Sequence, residues 1–156
     1  MKAAVVVASN RASAGVYEDT TGPLIVAALR DEGFEVDDPV VVPDGEPVGA
    51  AIKEAVASGA RAVLTTGGTG LTPTDRTPEV TRPLLDREVP GVAEAIRARG
   101  VAQGVPTATL SRGLAGVSGQ AFVVNLPGSR GGVKDGLAVV VPLLRHAVEQ
   151  IVGSDH

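Results

Sequence analysis

Residues 62–70 read AVLTTGGTG, a short run of apolar and β-branched residues that ends in a turn of glycine and threonine. A nearly continuous apolar run of this length, without alternation of polar residues, is typical of a strand buried on both faces of a parallel sheet. The glycines after it predict a tight turn, because glycine adopts positive φ without a steric penalty. This stretch therefore predicts an α/β protein whose parallel strand leads directly into a glycine-rich turn.

Three further apolar runs have the same character, and the segments between them have helical spacing. The other predicted strands are residues 3–8, 40–42 and 121–125. The first predicted helix starts near residues 19–23 and stops before Gly33, and the others are residues 46–58, 77–86, 90–102 and 129–152. In the fourth helix Val92 and Ile96 are expected to face inward, and Glu94 and Arg97 outward. Strands that alternate with helices of this length predict a three-layer α/β/α sandwich around a mostly parallel sheet.

Two segments are less regular. Pro142 lies inside the last helical segment, and we expect a kink or a break into two helices there. Residues 105–117 predict a short strand and a turn. Residues 77–79, Thr-Pro-Glu, predict a helix start with Thr77 as its cap and Pro78 in the first turn.

Composition restricts the class of protein. At 156 residues the chain is expected to form a single domain, residues 1–156. A net charge of −4 and an aromatic content of 2% are unfavourable for a nucleic-acid partner, which usually meets a basic face or stacking aromatics. No apolar stretch has the length of a membrane span, and the absence of cysteine fits a reducing cytoplasm. We therefore expect a cytoplasmic protein that binds neither membranes nor nucleic acid.

The residues that follow the predicted strands are small, polar or charged. In open α/β sheets the ligand binds beyond the carboxyl ends of the strands, so these four segments should converge on one edge. The segments are Ser9-Asn10-Arg11, Pro43-Asp44-Gly45, Gly67-Gly68-Thr69-Gly70 and Leu126-Pro127-Gly128-Ser129.

The glycine turn at residues 67–70 is a candidate phosphate cradle. Successive backbone N–H groups in such a turn form an anion nest, and Thr66 and Thr69 add hydroxyl donors. The alternative is a tight strand-to-helix turn with no ligand. The turn is not a P-loop, because no Gly-Lys-Ser/Thr follows, and no GxGxxG follows the first strand.

Asp75 follows the predicted cradle closely in sequence, and Asp44 lies on the neighbouring strand exit. Carboxylates next to bound phosphates repel them unless a cation stands between, so the pair predicts a Mg²⁺ site completed by substrate oxygens. The alternative for Asp44 is a turn residue before Gly45. The second glycine-rich turn, at Pro127, Gly128 and Ser129, predicts either an anion site at a helix N-terminus or a plain loop.

No nucleophile is evident in the sequence. The chain has no cysteine, and no Ser-His-Asp arrangement can be recognised. Arg11, Arg112 and Arg130 are candidates for phosphate binding, although single arginines are more often solvated; His146 and His156 receive no role. Phosphoryl-type transfer depends chiefly on positioning and charge neutralisation, which matches the residues available.

Six motifs in this order resemble the MogA/MoaB family and the corresponding domain of gephyrin, over nearly the whole chain. They are residues 9–19 (SNRASAGVYED), 42–44 (VPD), 65–70 (TTGGTG), 75–79 (DRTPE), 110–112 (LSR) and 125–129 (NLPGS). The resemblance implies a three-layer domain that forms homotrimers. It also implies an enzyme that adenylylates molybdopterin with ATP and Mg²⁺ and releases pyrophosphate.

The resemblance also implies roles for individual residues. Asp44 and Asp75 correspond to the family's essential aspartates, and they are the expected catalytic and metal-binding residues. The expected substrate-binding residues are Ser9, Arg11, Gly67, Gly68, Thr69, Gly70, Ser111, Arg112, Pro127, Gly128 and Ser129, of which Ser111, Arg112, Gly128 and Ser129 are on the pterin side. A molybdenum insertase is a possible partner.

Asn10 departs from the Ser-Asp-Arg motif of many transferases and matches the MoaB-like branch. The alternative function is therefore a non-catalytic, molybdopterin-binding trimer. A third alternative is a nucleotide hydrolase, since a related domain occurs in the competence-damage family.

Overall fold

A seven-stranded sheet forms the centre of the molecule in a computed structural model that describes residues 1–153; His156 lies outside the described residues. The strands are β1 (Lys2–Ala8), β2 (Glu35–Val36), β3 (Val40–Val42), β4 (Ala62–Thr66), β5 (Arg87–Glu88), β6 (Ala115–Ser118) and β7 (Ala121–Leu126). Their order is β2-β1-β4-β7-β6-β5. Strand β2 pairs with the first residues of β1, and β3 pairs with its last three residues. Strands β1, β2, β3, β4 and β7 run parallel, and only β5 and β6 introduce antiparallel pairs. The mostly parallel sheet is confirmed.

Helices cover both faces of this sheet. They are α1 (Asn10–Ser13), α2 (Gly22–Asp31), α3 (Glu46–Ala57), α4 (Thr77–Thr81), α5 (Pro90–Ala102) and α6 (Arg130–Ile151), with 3₁₀ segments at Arg82–Leu84 and Pro106–Leu110. Helices α2, α5 and α6 pack on one face, and α3 with the end of α4 packs on the other. The predicted three-layer α/β/α sandwich is confirmed.

Alternate residues of the central strands supply the two cores. Leu64 and Val124 point toward α5 and α6, whereas Val63 and Val123 point toward α3. All four side chains are fully buried. Burial on both faces explains why these strands read as continuous apolar runs. Among residues 1–153, no helix combines the length and the apolar character needed to cross a membrane.

Helix α6 continues through Pro142, so the predicted break into two helices is wrong. Proline removes one backbone hydrogen bond, which the carbonyl of Ala138 would otherwise accept. Both residues are exposed, so water can satisfy that carbonyl. Val140 and Leu144 are fully buried on the opposite side of the helix, so packing against the core holds the helix on both sides of Pro142.

The predicted helix at residues 77–86 is shorter in the structure. Helix α4 ends at Thr81 and tightens into the 3₁₀ segment, because Pro83 has no N–H to continue the α-helical pattern. Strand β5, which the sequence did not predict, follows. The interpretation of Thr77 as cap is also wrong: Arg76 occupies that position, and Thr77 is the first helical residue. Residues 105–117 contain the 3₁₀ segment Pro106–Leu110 and the start of β6, which confirms the short strand.

Candidate active site at the carboxyl edge of the sheet

The four predicted strand exits converge on one edge of the sheet. Ala8 pairs with Val42, and Thr66 pairs with Leu126, so the strands end side by side. Backbone hydrogen bonds continue past these ends, from Ser9 N to Val42 O at 2.9 Å and from Gly67 N to Leu126 O at 3.3 Å. The expectation that the exits meet at one rim is confirmed.

The glycine turn lies at the centre of this rim. Gly67 and Gly68 have φ of 91° and 68°, a region that favours glycine. A Cβ at Gly67 would overlap the carbonyl oxygen of Ala8. A Cβ at Gly128 would lie 3.2 Å from the Cα of Gly67, so the two glycine-rich turns touch. Only glycine allows the backbone to close up at this point.

A buried hydrogen-bond network fixes α4 against the turn. The Thr77 hydroxyl donates to Gly67 O at 2.9 Å, and the Thr77 N–H donates to Gly68 O at 3.0 Å. The Thr81 hydroxyl donates to Thr77 O at 2.7 Å, and Asn125 Nδ2 donates to Thr81 Oγ1 at 3.2 Å and to Thr65 Oγ1 at 2.9 Å. Sequence reasoning missed Thr81 and Asn125. Their sequence signal is a polar residue within a segment where apolar residues pack, and Asn125 is also the first residue of the motif at residues 125–129.

Asp44 and Asp75 both lie against the glycine turn. A Cβ at Gly68 would overlap Asp44 Oδ1, and a Cβ at Gly70 would lie 2.8 Å from Asp75 Oδ2. The Thr72 N–H donates to Asp75 Oδ2 at 3.0 Å and fixes that carboxylate. Burial, and then the negative charge of Asp75, raise the pKa of Asp44. The two carboxylates therefore interact electrostatically across the turn.

The two aspartates fit a divalent cation. Asp44 Oδ1 is buried and has no hydrogen-bond partner among the described residues. An ionised oxygen in such a position is costly unless a cation or a donor reaches it. The described chain contains no cluster of three or more Asp, Glu, His or Cys side chains suited to a metal. A cation held by two carboxylates and completed by substrate oxygens and water matches the usual coordination of Mg²⁺.

Asn10 supports the Asp44 turn. Its Oδ1 accepts a hydrogen bond from the Asp44 backbone N–H at 2.9 Å. The adjacent Ser9 accepts from Ala12 N at 3.1 Å and caps α1. Arg11 donates to the Tyr17 hydroxyl at 2.9 Å, and its guanidinium lies 5.1 Å from the centre of the Tyr17 ring. Hydrogen bonds therefore hold the first strand exit in place and connect it to the Asp44 turn.

Two clefts flank the point where the glycine turns touch. The larger, of about 390 Å³, lies between the glycine turn, α5, the 3₁₀ segment Pro106–Leu110 and the start of α6. The predicted residues that line it are Gly68, Thr69, Gly70, Asp75, Ser111, Pro127, Gly128 and Ser129. The smaller cleft, of about 360 Å³, is lined by Ser9, Tyr17, Gly67 and Gly128, among others. Gly128 borders both.

The N-terminus of α6 opens onto the larger cleft. Ser129 is its N-cap and accepts from Gly132 N at 3.0 Å, which confirms that the second glycine turn leads into a helix. Gly131 and Gly132 line the cleft. Helix N-termini carry partial positive charge and unpaired N–H groups, which favour anions.

The arginines at this edge of the sheet differ in their surroundings. Arg97 was expected to face outward, but it is half-buried and lines the larger cleft. Arg112 donates to Gly70 O, Asp75 O and Glu79 Oε2, so protein atoms already occupy its guanidinium. Arg130 is exposed at the first position of α6.

The fold and the site together define an α/β protein with its ligand clefts at the carboxyl edge of a mostly parallel sheet. Residues 4–146 match the family described as a probable molybdopterin binding domain. The chain belongs to this family, the MogA/MoaB family.

Individual relatives agree with this placement. A solved structure of MogA is 52% identical with a TM-score of 0.94, and the match covers 97% of this chain and 99% of that one. A molybdopterin adenylyltransferase from Pyrococcus furiosus is 38% identical over 95% of this chain and 92% of its own length. A molybdenum cofactor biosynthesis bifunctional protein from Synechococcus elongatus is 42% identical over 99% of this chain. This chain spans 48% of that protein, about half its length.

Proposed function

We propose that this protein is a Mg²⁺-dependent molybdopterin adenylyltransferase that acts in molybdenum cofactor biosynthesis. Relatives of that name, such as the Pyrococcus furiosus protein, support this enzyme class. The use of ATP and Mg²⁺ is the finer part of the proposal. The main support for a bound Mg²⁺ is that Asp44 and Asp75 approach the same glycine turn. In addition, Asp44 Oδ1 is buried and has no hydrogen-bond partner among the described residues.

In the proposed reaction, an oxygen of the terminal phosphate of molybdopterin forms a bond to the α-phosphorus of ATP. The bond from that phosphorus to the bridging oxygen breaks, and pyrophosphate leaves with the electron pair. The backbone N–H groups of the glycine turn and of the α6 N-terminus hold phosphate oxygens in place. Mg²⁺, when bound, neutralises charge on the phosphates.

The residues of the chain therefore act by positioning rather than by covalent catalysis. Asp44 and Asp75 are the proposed metal ligands. In the larger cleft, Ser111 and the turn at Pro127, Gly128 and Ser129 are proposed to bind the pterin substrate. The glycine turn, Gly67, Gly68, Thr69 and Gly70, is proposed to bind the phosphates. Ser9 and Arg11 belong to the first strand exit, and Ser9 borders the smaller cleft, which we assign to the other substrate.

The second candidate function, a binding-only protein, is suggested by the identity of Asn10, which replaces the aspartate of many transferases. Its contact supports the catalytic proposal instead. Asn10 serves as a hydrogen-bond acceptor for the Asp44 N–H, and a carboxamide oxygen fills that role as a carboxylate does. The Asp44 turn is therefore supported with either residue.

The proposal extends to assembly. We propose a homotrimer, as the resemblance implies, which sedimentation should detect as a particle of three times 15.7 kDa. A molybdenum insertase is the proposed partner that receives the product.

The test is incubation of the protein with molybdopterin, ATP and Mg²⁺, followed by mass analysis for adenylyl-molybdopterin. We expect the product from the natural sequence and a loss of about 100-fold or more in Asp75→Asn, since removal of one electrostatic group at a transferring phosphate commonly costs that much. Asp31→Asn, which changes an exposed carboxylate at the end of α2, is the matched control and should keep full activity.

Other outcomes identify the alternatives. Molybdopterin binding without product would establish the binding-only function. ATP consumption in the absence of pterin would indicate a nucleotide hydrolase. Normal transfer by Asp75→Asn would contradict the proposed metal site.

A further inference from the structure

Arg97 is the only cationic side chain among the described residues that line the larger cleft. Two carboxylates, those of Asp75 and Asp135, line the same cleft. Arg97 projects from α5 beneath the segment that connects the 3₁₀ segment Pro106–Leu110 to β6. It therefore shares the cleft with the glycine turn.

The guanidinium of Arg97 is held in place without being neutralised. Its Nη1 donates to Ser111 O at 3.2 Å and to Gly113 O at 3.3 Å. Within the described chain, no carboxylate oxygen lies within 4.0 Å of it, and Nε and Nη2 make no hydrogen bond. The positive charge of Arg97 is therefore not offset by a protein carboxylate, and its free N–H groups can form charged hydrogen bonds to an anionic ligand group.

Arg112 is in the opposite situation. Its Nε donates to Gly70 O at 2.9 Å and its Nη2 to Asp75 O at 2.9 Å, and its Nη1 pairs with Glu79 Oε2 at 2.6 Å. Its own N–H donates to Thr69 O at 2.9 Å. Arg112 thus bridges both ends of the loop at residues 69–75 and ties it to α4. To bind substrate as a bidentate group, it would have to release one of these acceptors.

We propose that Arg97 supplies the positive charge that binds an anionic group of the ligand in the larger cleft, whereas Arg112 is a positioning residue that holds Asp75 through its backbone. This inference rests on the proposed function for the identity of the ligand, molybdopterin. It separates two arginines that would both be assigned to substrate on charge alone.

The two roles predict opposite effects of matched substitutions. Arg97→Gln should raise the Kd of molybdopterin about tenfold or more, since a charged hydrogen bond is lost, and should leave the Mg²⁺ concentration for half-maximal activity unchanged. Arg112→Gln should leave that Kd within about threefold, but lower kcat and raise the Mg²⁺ requirement, because Asp75 is no longer held. Arg99→Gln, an exposed arginine of the same helix, is the control and should change neither.

Hydrogen exchange provides a readout that needs no turnover. Residues 69–75 should exchange faster in Arg112→Gln and at the natural rate in Arg97→Gln. Arg112→Lys should not restore protection, because the compact ammonium group cannot reach all three acceptors that the planar guanidinium contacts.

Weaker molybdopterin binding in Arg112→Gln together with natural binding in Arg97→Gln would overturn the inference. So would natural exchange of residues 69–75 in Arg112→Gln. A protein that binds molybdopterin but forms no adenylyl product would defeat the proposed function alone, because binding and exchange still test the arginines. A natural protein that does not bind molybdopterin would overturn the role of Arg97.

Discussion

At the level of single residues, the site depends on side-chain oxygens that accept hydrogen bonds from backbone N–H groups, as well as on charged groups. Asn10 is exposed, yet its Oδ1 accepts from the N–H of Asp44 and thereby fixes the turn that carries a proposed metal ligand. The sequence showed an amide where many transferases have a carboxylate. In the structure, the oxygen of this side chain is the atom that contacts the Asp44 turn.

This contact predicts the effect of two substitutions at Asn10. Asn10→Ala removes the acceptor and should lower kcat/KM about fivefold, which corresponds to a net hydrogen bond of about 1 kcal/mol. Asn10→Asp keeps an acceptor and should retain half or more of the activity. Steady-state adenylyl transfer at saturating Mg²⁺ measures both. A gain of more than about tenfold in Asn10→Asp would show that a carboxylate is required there and would favour the binding-only function.

At the level of elements, helix α4 is too short to be stable alone, with five residues. The buried network from Gly67 through Thr77 and Thr81 to Asn125 anchors it to β4 and β7. Thr77 and Thr81 are fully buried, and Asn125 is 3% exposed. Because Asp75 precedes this helix, the network also fixes the loop that holds the carboxylate.

Thr81→Val tests this anchor, since valine has a similar shape but no hydroxyl. The substitution leaves the buried amide of Asn125 with one donor unpaired, and it should lower the free energy of unfolding by about 1–3 kcal/mol. Urea denaturation followed by circular dichroism measures it. Thr109→Val, at an exposed position of the 3₁₀ segment Pro106–Leu110, should change stability by less than about 0.5 kcal/mol. Equal stability of the two variants would argue against the network as an anchor.

At the level of the whole molecule, the ion pair between Glu79 and Arg112 joins α4 to the segment before β6, 33 residues away. The hydrogen bond from Arg112 lowers the pKa of Glu79 below its ordinary value of 4.5. The same bond raises the pKa of Arg112. A carboxyl group whose folded-state pKa is depressed contributes stability above its unfolded-state pKa, and that contribution is lost as pH falls through the lower, folded-state value.

The expected outcome is a pH-dependent difference between the natural protein and Glu79→Gln. The difference in free energy of unfolding should be constant above about pH 5 and should shrink as the pH falls below 4.5. Urea denaturation at a series of pH values measures it, with Glu94→Gln, an exposed carboxylate of α5, as the control. A difference that stays constant down to pH 3 would contradict the ion pair.

The sequence alone determined the layers of the fold and the rim where the site lies. Strands such as Ala62–Thr66 are buried on both faces, so their apolar character is visible locally. A parallel arrangement then places every strand exit on one edge, whatever the details of the loops. Asp44, Asp75 and the glycine turn could be found for that reason.

Only the tertiary structure decided the roles of the long side chains and the short elements. Helical periodicity assigned Arg97 to the solvent face of α5, but residues 106–113, remote from that helix turn, cover this face and accept its hydrogen bonds. The sequence predicted that Arg112 binds an anion, whereas in the structure its guanidinium donates to Glu79 and to the loop at residues 69–75. Strand β5 and the unbroken α6 likewise depend on packing partners. The physical reason is that local periodicity records burial within one element, whereas the surroundings of a guanidinium or a proline also depend on how neighbouring elements pack.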